Sequence, residues 1–328
     1  MKPIIQPVER KLIIDELTPD KYIRDTNRGG NMLYDVSAAD SPNIMREIGR
    51  LREISFRSSG GGTGKDIDID EYDTDSENPY KQLIVWDPDQ MEIVDGYRYI
   101  DCSGGLDPAK MATSKLFHFS KHFVKDVLPY TIELGRSFVQ PLYQRLNLKR
   151  KGIFALDNLW DGLGALTVKY DTLRYFFGKV TMYSTYNVKA RNILLYFLHH
   201  FFPDNDSLVT PIEPLDSDAS NPYYASLFEG LEYKEAYKRL VASLKEMGEM
   251  IPPLINSYMS LSPSMRVFGT SVNKEFGGVE ETGIMMNIED IYPEKIERHI
   301  ASLKLLRDKI KEKYRWWRRS DIRSALLL

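Results

Sequence analysis

The chain has 328 residues, of which 42% are hydrophobic and 28% charged, a balance that belongs to a globular protein with ample material for a core. Its 44 Lys and Arg face 47 Asp and Glu, and the net charge of −3 lacks the basic excess of a protein that coats nucleic acid. The single cysteine, Cys102, excludes an internal disulfide framework and a clustered thiolate metal site.

Residues 1–40 read as an N-terminal arm, because Pro3, Pro7, Pro19 and Gly29-Gly30 interrupt every regular pattern. No long apolar stretch precedes Glu9, Arg10 and Lys11, so no signal peptide is expected. The stripe Ile44, Ile48, Leu51 and Ser55 predicts a helix over 43–56, with Arg52 and Phe56 one turn apart. A Gly-rich loop at 58–65 and an acidic run at 66–75 follow. Strands are predicted at 82–86 and 93–100 around the turn Asp87-Pro88-Asp89, and again at 131–139. Beyond Lys149-Arg150-Lys151-Gly152 the pattern gives a helix from 157, a strand at 179–186, a buried helix at 188–202 and a loop at 204–221. A helix at 233–250, strands at 266–272 and 283–288, and a helix from 293 complete the order. Interleaved helices and strands point to an α/β or mixed α+β fold with a central sheet between helices. The richest apolar run, 193–202, falls short of the ~20 residues of a membrane span. A cytoplasmic protein is expected.

Several motif readings fail on chemistry. The Gly-rich loop is not a phosphate-binding P-loop: Ser59 stands where its first glycine belongs, and Asp66 where Ser or Thr must follow Lys65. It reads instead as a mobile connector able to act as a lid. His118 and His122 share a helical spacing but lack the glutamate of a zinc-protease motif and sit among Phe117, Phe119 and Phe123. His199 and His200 point in different directions, and no metal is expected. Asp70-Glu71-Tyr72-Asp73 reads on its own as a solvated acidic loop, and Arg98 as an edge or ion-pair residue.

Glu133 and Arg136 resist such readings. Ile132, Leu134, Phe138 and Val139 make their segment look like a central strand, where a charge is costly unless paired or functional. Residues three apart on a regular strand face opposite sides. The two meet on one face only if the strand carries an extra residue, and Gly135 is the expected bulge. A bulge also leaves a backbone N–H free to act as an oxyanion donor.

Together these residues resemble the branch of the GNAT superfamily that holds acyl-homoserine-lactone synthases and ornithine- or glycine-lipid N-acyltransferases, the hemolysin-like group. Arg52 and Phe56 match its helix, Asp70 and Asp73 its acidic loop, Arg98 its hairpin, and Glu133 with Arg136 its Glu-x-x-Arg strand. Glu133 to Val139, Leu159-Trp160-Asp161-Gly162-Leu163, Phe177-Gly178-Lys179-Val180 and the segment from Ile251 through Tyr258 look like the lipid N-acyltransferase side.

The resemblance implies a GNAT-like domain over 41–300 that moves a (3-hydroxy)fatty acyl group from a thioester donor to the amine of glycine or ornithine, in aminolipid synthesis. It implies Glu133 as general base, directly or through water, and the bulge amides near Gly135 to Ser137 as oxyanion donors. Arg136 would pair with Asp70 or Asp73, while Arg52 and Arg98 would join that network or bind the acceptor's carboxylate. The family's pyrophosphate loop is absent; Lys149, Arg150 and Gly152 stand near its place. That departure favours an acyl carrier protein over coenzyme A as donor, since basic residues suit an acidic carrier. In the tail, 301–328, basic residues surround Tyr314, Trp316 and Trp317, which fits either a helix on an anionic membrane surface or aromatics packed on the domain. Other readings of the same scaffold are an acyl-lactone signal synthase and a non-catalytic acyl- or carrier-binding protein.

Overall fold

A computed structural model describes residues 1–144 and 154–301. The expectations for Lys149, Arg150 and Gly152, and for the tail at 304–328, lie outside the described residues. Ten strands are present among the described residues: β1 (Tyr22–Asp25), β2 (Met32–Val36), β3 (Lys81–Asp87), β4 (Glu92–Asp101), β5 (Phe117–Phe119), β6 (Thr131–Val139), β7 (Tyr175–Met182), β8 (Val209–Pro211), β9 (Arg266–Asn273) and β10 (Val279–Asn287). Eight of them form one sheet in the order β1-β2-β3-β4-β6-β7-β10-β9, and β5 pairs with β8. Every pair in the large sheet is antiparallel except β6 and β7.

The helices are α1 (Arg10–Glu16), α2 (Pro42–Ser58), α3 (Glu71–Thr74), α4 (Pro141–Gln144), α5 (Ala155–Lys169), α6 (Val188–Phe201), α7 (Pro222–Phe228), α8 (Tyr233–Glu246), α9 (Pro253–Met259) and α10 (Pro293–Ile296). Pro42 opens α2 at a position where no N–H is needed, and Ile44, Ile48 and Leu51 bury the predicted stripe. α5 is the crossover that makes β6 and β7 parallel.

Alternation along the strands divides the core. On one face Leu83, Tyr97, Leu134 and Phe176 pack with residues of α5, α6, α8 and α9. On the other, Ile84, Trp86 and Phe138 meet α1 and α2, and farther along Ile100, Phe177 and Phe268 meet the segment 102–130. The result is the mixed sheet between helices expected from the sequence.

Several boundaries differ from expectation. Residues 1–40, read as an arm without regular pattern, supply α1 and the hairpin β1–β2 at the sheet edge, with Gly29-Gly30 in the hairpin loop. β7 begins at Tyr175, four residues before the predicted start, because its aromatic run belongs to the strand. The loop at 204–221 contains β8, and α8 stops at Glu246. His118 lies on β5, so it shares no helix face with His122. Among the described residues no group of His, Cys, Asp and Glu is arranged to hold a metal, and no helix is long and apolar enough to cross a membrane.

Candidate active site

β6 is where the sheet opens. It pairs with β7 only from Thr131–Tyr175 to Leu134–Gly178, and beyond that rung the two strands share no register. On its other side, Gly96 of β4 faces Phe138 while Arg98 faces Gly135, so β6 carries one extra residue there. Arg136 and Ser137 therefore have no register partner on either neighbour, as a bulge requires. The bulge expected at Gly135 falls one residue later: Arg136, not the glycine, takes the left-handed conformation, with φ of 48°. Such backbone costs about 1–3 kcal/mol and persists only where surrounding contacts over-determine it. Here the guanidinium lies 3.0 Å from Asp68 and 3.6 Å from Asp70, and stacks 4.2 Å from the centre of the Phe276 ring.

The acidic segment is a wall of the site rather than a solvated loop. It can lie against α2 because Gly49 has no Cβ; a methyl there would come within 2.6 Å of Ile67 and 2.8 Å of Ile69. Asp68 N–H donates to the Gly49 carbonyl at 3.1 Å. Asp70 then caps the single turn of α3, accepting from the N–H of Tyr72 and Asp73 at 3.1 and 3.2 Å. Three arginines meet this wall. Arg52, fully buried on α2, donates to Asp73 at 3.1 Å and also to Gln82. Arg98 donates from one nitrogen to both oxygens of Asp70 at 2.7 Å and lies 3.4 Å from Asp73. Arg136 meets Asp68 and Asp70. The Asp70 carboxyl is held far below the usual range: Arg98, Arg136 and Arg52 together outweigh its burial. Arg136 thus pairs with Asp68 and Asp70 rather than with Asp73, and Arg52 and Arg98 serve the network. Phe56 supports it from behind, edge-on to Phe276 at 5.1 Å.

Glu133 is also buried, but in its own niche. Its carboxylate accepts from the Tyr80 hydroxyl, from Thr113 N–H at 2.9 Å and from Ala112 N–H at 3.2 Å. Burial pushes its pKa up against these hydrogen bonds. The groups that line the neighbouring cavities do not include it.

Two cavities meet at the opening. A slit of about 30 Å³ between the parted strands is walled by Tyr97, Leu134, Ser137, Phe176 and Tyr258, and a cleft of about 780 Å³ lies over the acidic wall, bounded by Asp70, Tyr72, Arg98, Lys115 and Phe276. Arg136 and Lys179 line both. The arrangement has parts an acyl transfer can use: a narrow entry, a bulged strand at its end and a polar cleft on the far side. The Gly-rich loop is pinned beside it, with Glu53 accepting from Thr63 N–H at 3.1 Å, from its hydroxyl at 2.8 Å and from Gly64 N–H at 2.8 Å. These bonds tie Thr63 and Gly64 of the loop to α2.

Sequence reasoning missed Asp68, Tyr80, Gln82, Phe276 and the pair of Lys179 with the buried Glu281. The alternation Asp66-Ile67-Asp68-Ile69-Asp70 carried the signal for Asp68, since it sets the three aspartates on one side of an extended segment.

Residues 51–150 match the acetyltransferase (GNAT) domain family. A protein of Bacteroides thetaiotaomicron named glycine N(alpha)-acyltransferase is 53% identical over 306 residues, covering 92% of this chain and 90% of its own length. One of the same name from Phocaeicola vulgatus is 51% identical over 306 residues, with 92% and 94% covered. Among solved structures, the AHL synthase LasI aligns at 12% identity and a TM-score of 0.29, over 46% of this chain and 72% of that one. With its sheet opening at a bulged strand and relatives matched over nearly their whole length, the chain belongs to the GNAT family of acyltransferases.

Proposed function

We propose that the protein transfers a fatty acyl group from the thioester of an acyl carrier protein to the amine of glycine, giving an N-acyl amino acid for aminolipid synthesis. The observation that carries the reading is the match, over 92% of this chain, to proteins named glycine N(alpha)-acyltransferase. The site supports it. The thioester arm enters between β6 and β7, its carbonyl oxygen takes the backbone donors at Arg136 and Ser137, and the amine comes from the polar cleft. Asp68, Asp70 and Asp73 with Arg52, Arg98 and Arg136 hold the bulge in place, a task of geometry more than of stability. Lys149, Arg150 and Gly152 are proposed to receive the carrier, and the tail at 304–328 to rest on an anionic membrane surface, where an acylated product partitions. Glu133 is proposed as a positioning residue. A base role for it requires a relay, because its oxygens are taken by Tyr80 and the 112–113 turn.

One assay tests this. The purified full chain is given a palmitoyl thioester of acyl carrier protein or of coenzyme A, with glycine or ornithine, in the presence and absence of anionic vesicles. Mass spectrometry is expected to find N-palmitoylglycine formed fastest from the carrier thioester, and the enzyme to co-sediment with the vesicles. Transfer only to ornithine overturns the acceptor, faster transfer from coenzyme A overturns the donor, and absence of the enzyme from the vesicle pellet overturns the membrane contact.

A further inference from the structure

Lys179 stands one residue past Gly178, the last residue of β7 paired with β6, and it lines both the slit and the cleft. Its side-chain nitrogen contacts the carboxylate of Glu281, a buried residue of β10 two rungs away on the same face. An ion pair whose carboxylate is fully buried seldom repays its desolvation in stability, so the position of this one at the meeting point of two cavities asks for another explanation. Glu133, another buried carboxylate nearby, is closed off by three donors.

Resting on the acyl-transfer reading above, we propose that Lys179, oriented by Glu281, is the catalytic residue that takes the proton from the attacking amine. Glu281 of β10 contacts it, and the charges of Arg136 and Glu133 on β6, Arg98 on β4 and Asp68 in the acidic wall act on it. Burial, with Arg136 and Arg98, holds its pKa well below the ordinary lysine value, against the pull of Glu133 and Asp68. A lysine whose pKa is lowered gives up its proton more readily than an ordinary one, which lets it act as a proton acceptor.

The step balances as follows. The acceptor ammonium loses one proton to solvent in the open cleft. Its neutral nitrogen attacks the thioester carbonyl carbon and the C–N bond forms. Lys179 Nζ takes a second proton from that nitrogen, and the C–S bond breaks. The departing thiolate then takes the proton from Lys179, leaving amide, thiol and a neutral lysine.

The test uses the full chain with the palmitoyl thioester of acyl carrier protein, measuring kcat at saturating glycine and the glycine KM across pH. Lys179→Met is expected to lower kcat by about 100-fold or more while the glycine KM barely moves. Glu281→Gln removes the negative charge beside the lysine, so the rising limb of kcat is expected to move to lower pH. The double variant Lys179→Met with Glu281→Gln leaves no lone buried charge and is expected to fold while staying as slow as the single. A raised glycine KM with intact kcat would make Lys179 a carboxylate holder and overturn the proposal. So would a normal kcat in Lys179→Met or the double variant, or an unmoved limb in Glu281→Gln. A wild-type chain that acylates no amine overturns the acyl-transfer reading together with it.

Discussion

Glu133 and Arg136 are three residues apart on one strand, yet they do unlike work. Arg136 reaches both cavities; Glu133 reaches neither and fastens Tyr80 and the 112–113 turn. Replacing Glu133 by Gln puts an N–H₂ group where an oxygen accepted, and an unmatched buried donor costs about 1–3 kcal/mol. Glu133→Gln is therefore expected to lose stability of that order in urea denaturation. Turnover should fall by about 100-fold, as misplacement by an ångström does. Unchanged stability together with loss of the pH-dependent limb of kcat would return Glu133 to the role of base. Both charges were visible in the sequence, because a charge inside an apolar strand stands out. Their division of labour was not, because it depends on the turn at Ala112 and Thr113, twenty residues away in the chain and unmarked by composition.

At the next level the site depends on how β6 and β7 part. Gly178 faces Leu134 on the last shared rung, and a Cβ on it would lie 2.7 Å from the Leu134 carbonyl oxygen. A larger residue forces the strands apart one rung early and moves the bulge. Gly178→Val is expected to lower stability by about 1–3 kcal/mol, as overpacking does, and to abolish acyl transfer. Gly104→Ala, with open space around it, is expected to change stability by less than about 0.5 kcal/mol. Equal effects of the two on denaturation midpoint and on activity would show that the close approach at Gly178 does not matter. Elements with a single period were legible: α2 from its stripe, and β6 with its boundaries. β7 was displaced because it is buried on both faces and its aromatic run lacks alternation. The hairpin β1–β2 was hidden because its strands are short and its turn glycines read as breakers.

Two kinds of shifted carboxylate have opposite dependence on pH. Asp70, Glu47 and Glu53 are held below their ordinary values by arginine partners or hydrogen bonds. Their contribution is complete above the unfolded carboxylate range, about pH 4, and is lost as pH falls through the lower folded values. Asp95 is the contrary case. It is fully buried on β4, neither oxygen has a hydrogen-bond partner among the described residues, and burial alone pushes its pKa far up. A carboxyl raised in the fold favours the folded state while protonated, and its cost grows as pH rises from the unfolded value toward the raised one. Asparagine keeps the shape of the neutral acid and cannot ionise. Asp95→Asn is therefore expected to match the wild type near pH 4 and to be more stable at neutral pH. Every tenfold by which the fold weakens the acid is worth about 1.4 kcal/mol at neutral pH. The acid limb, which belongs to Asp70, Glu47 and Glu53, should remain in the variant. Urea denaturation of both proteins across this range decides it: a stability difference independent of pH would mean that Asp95 carries the same charge folded and unfolded, against the burial on β4.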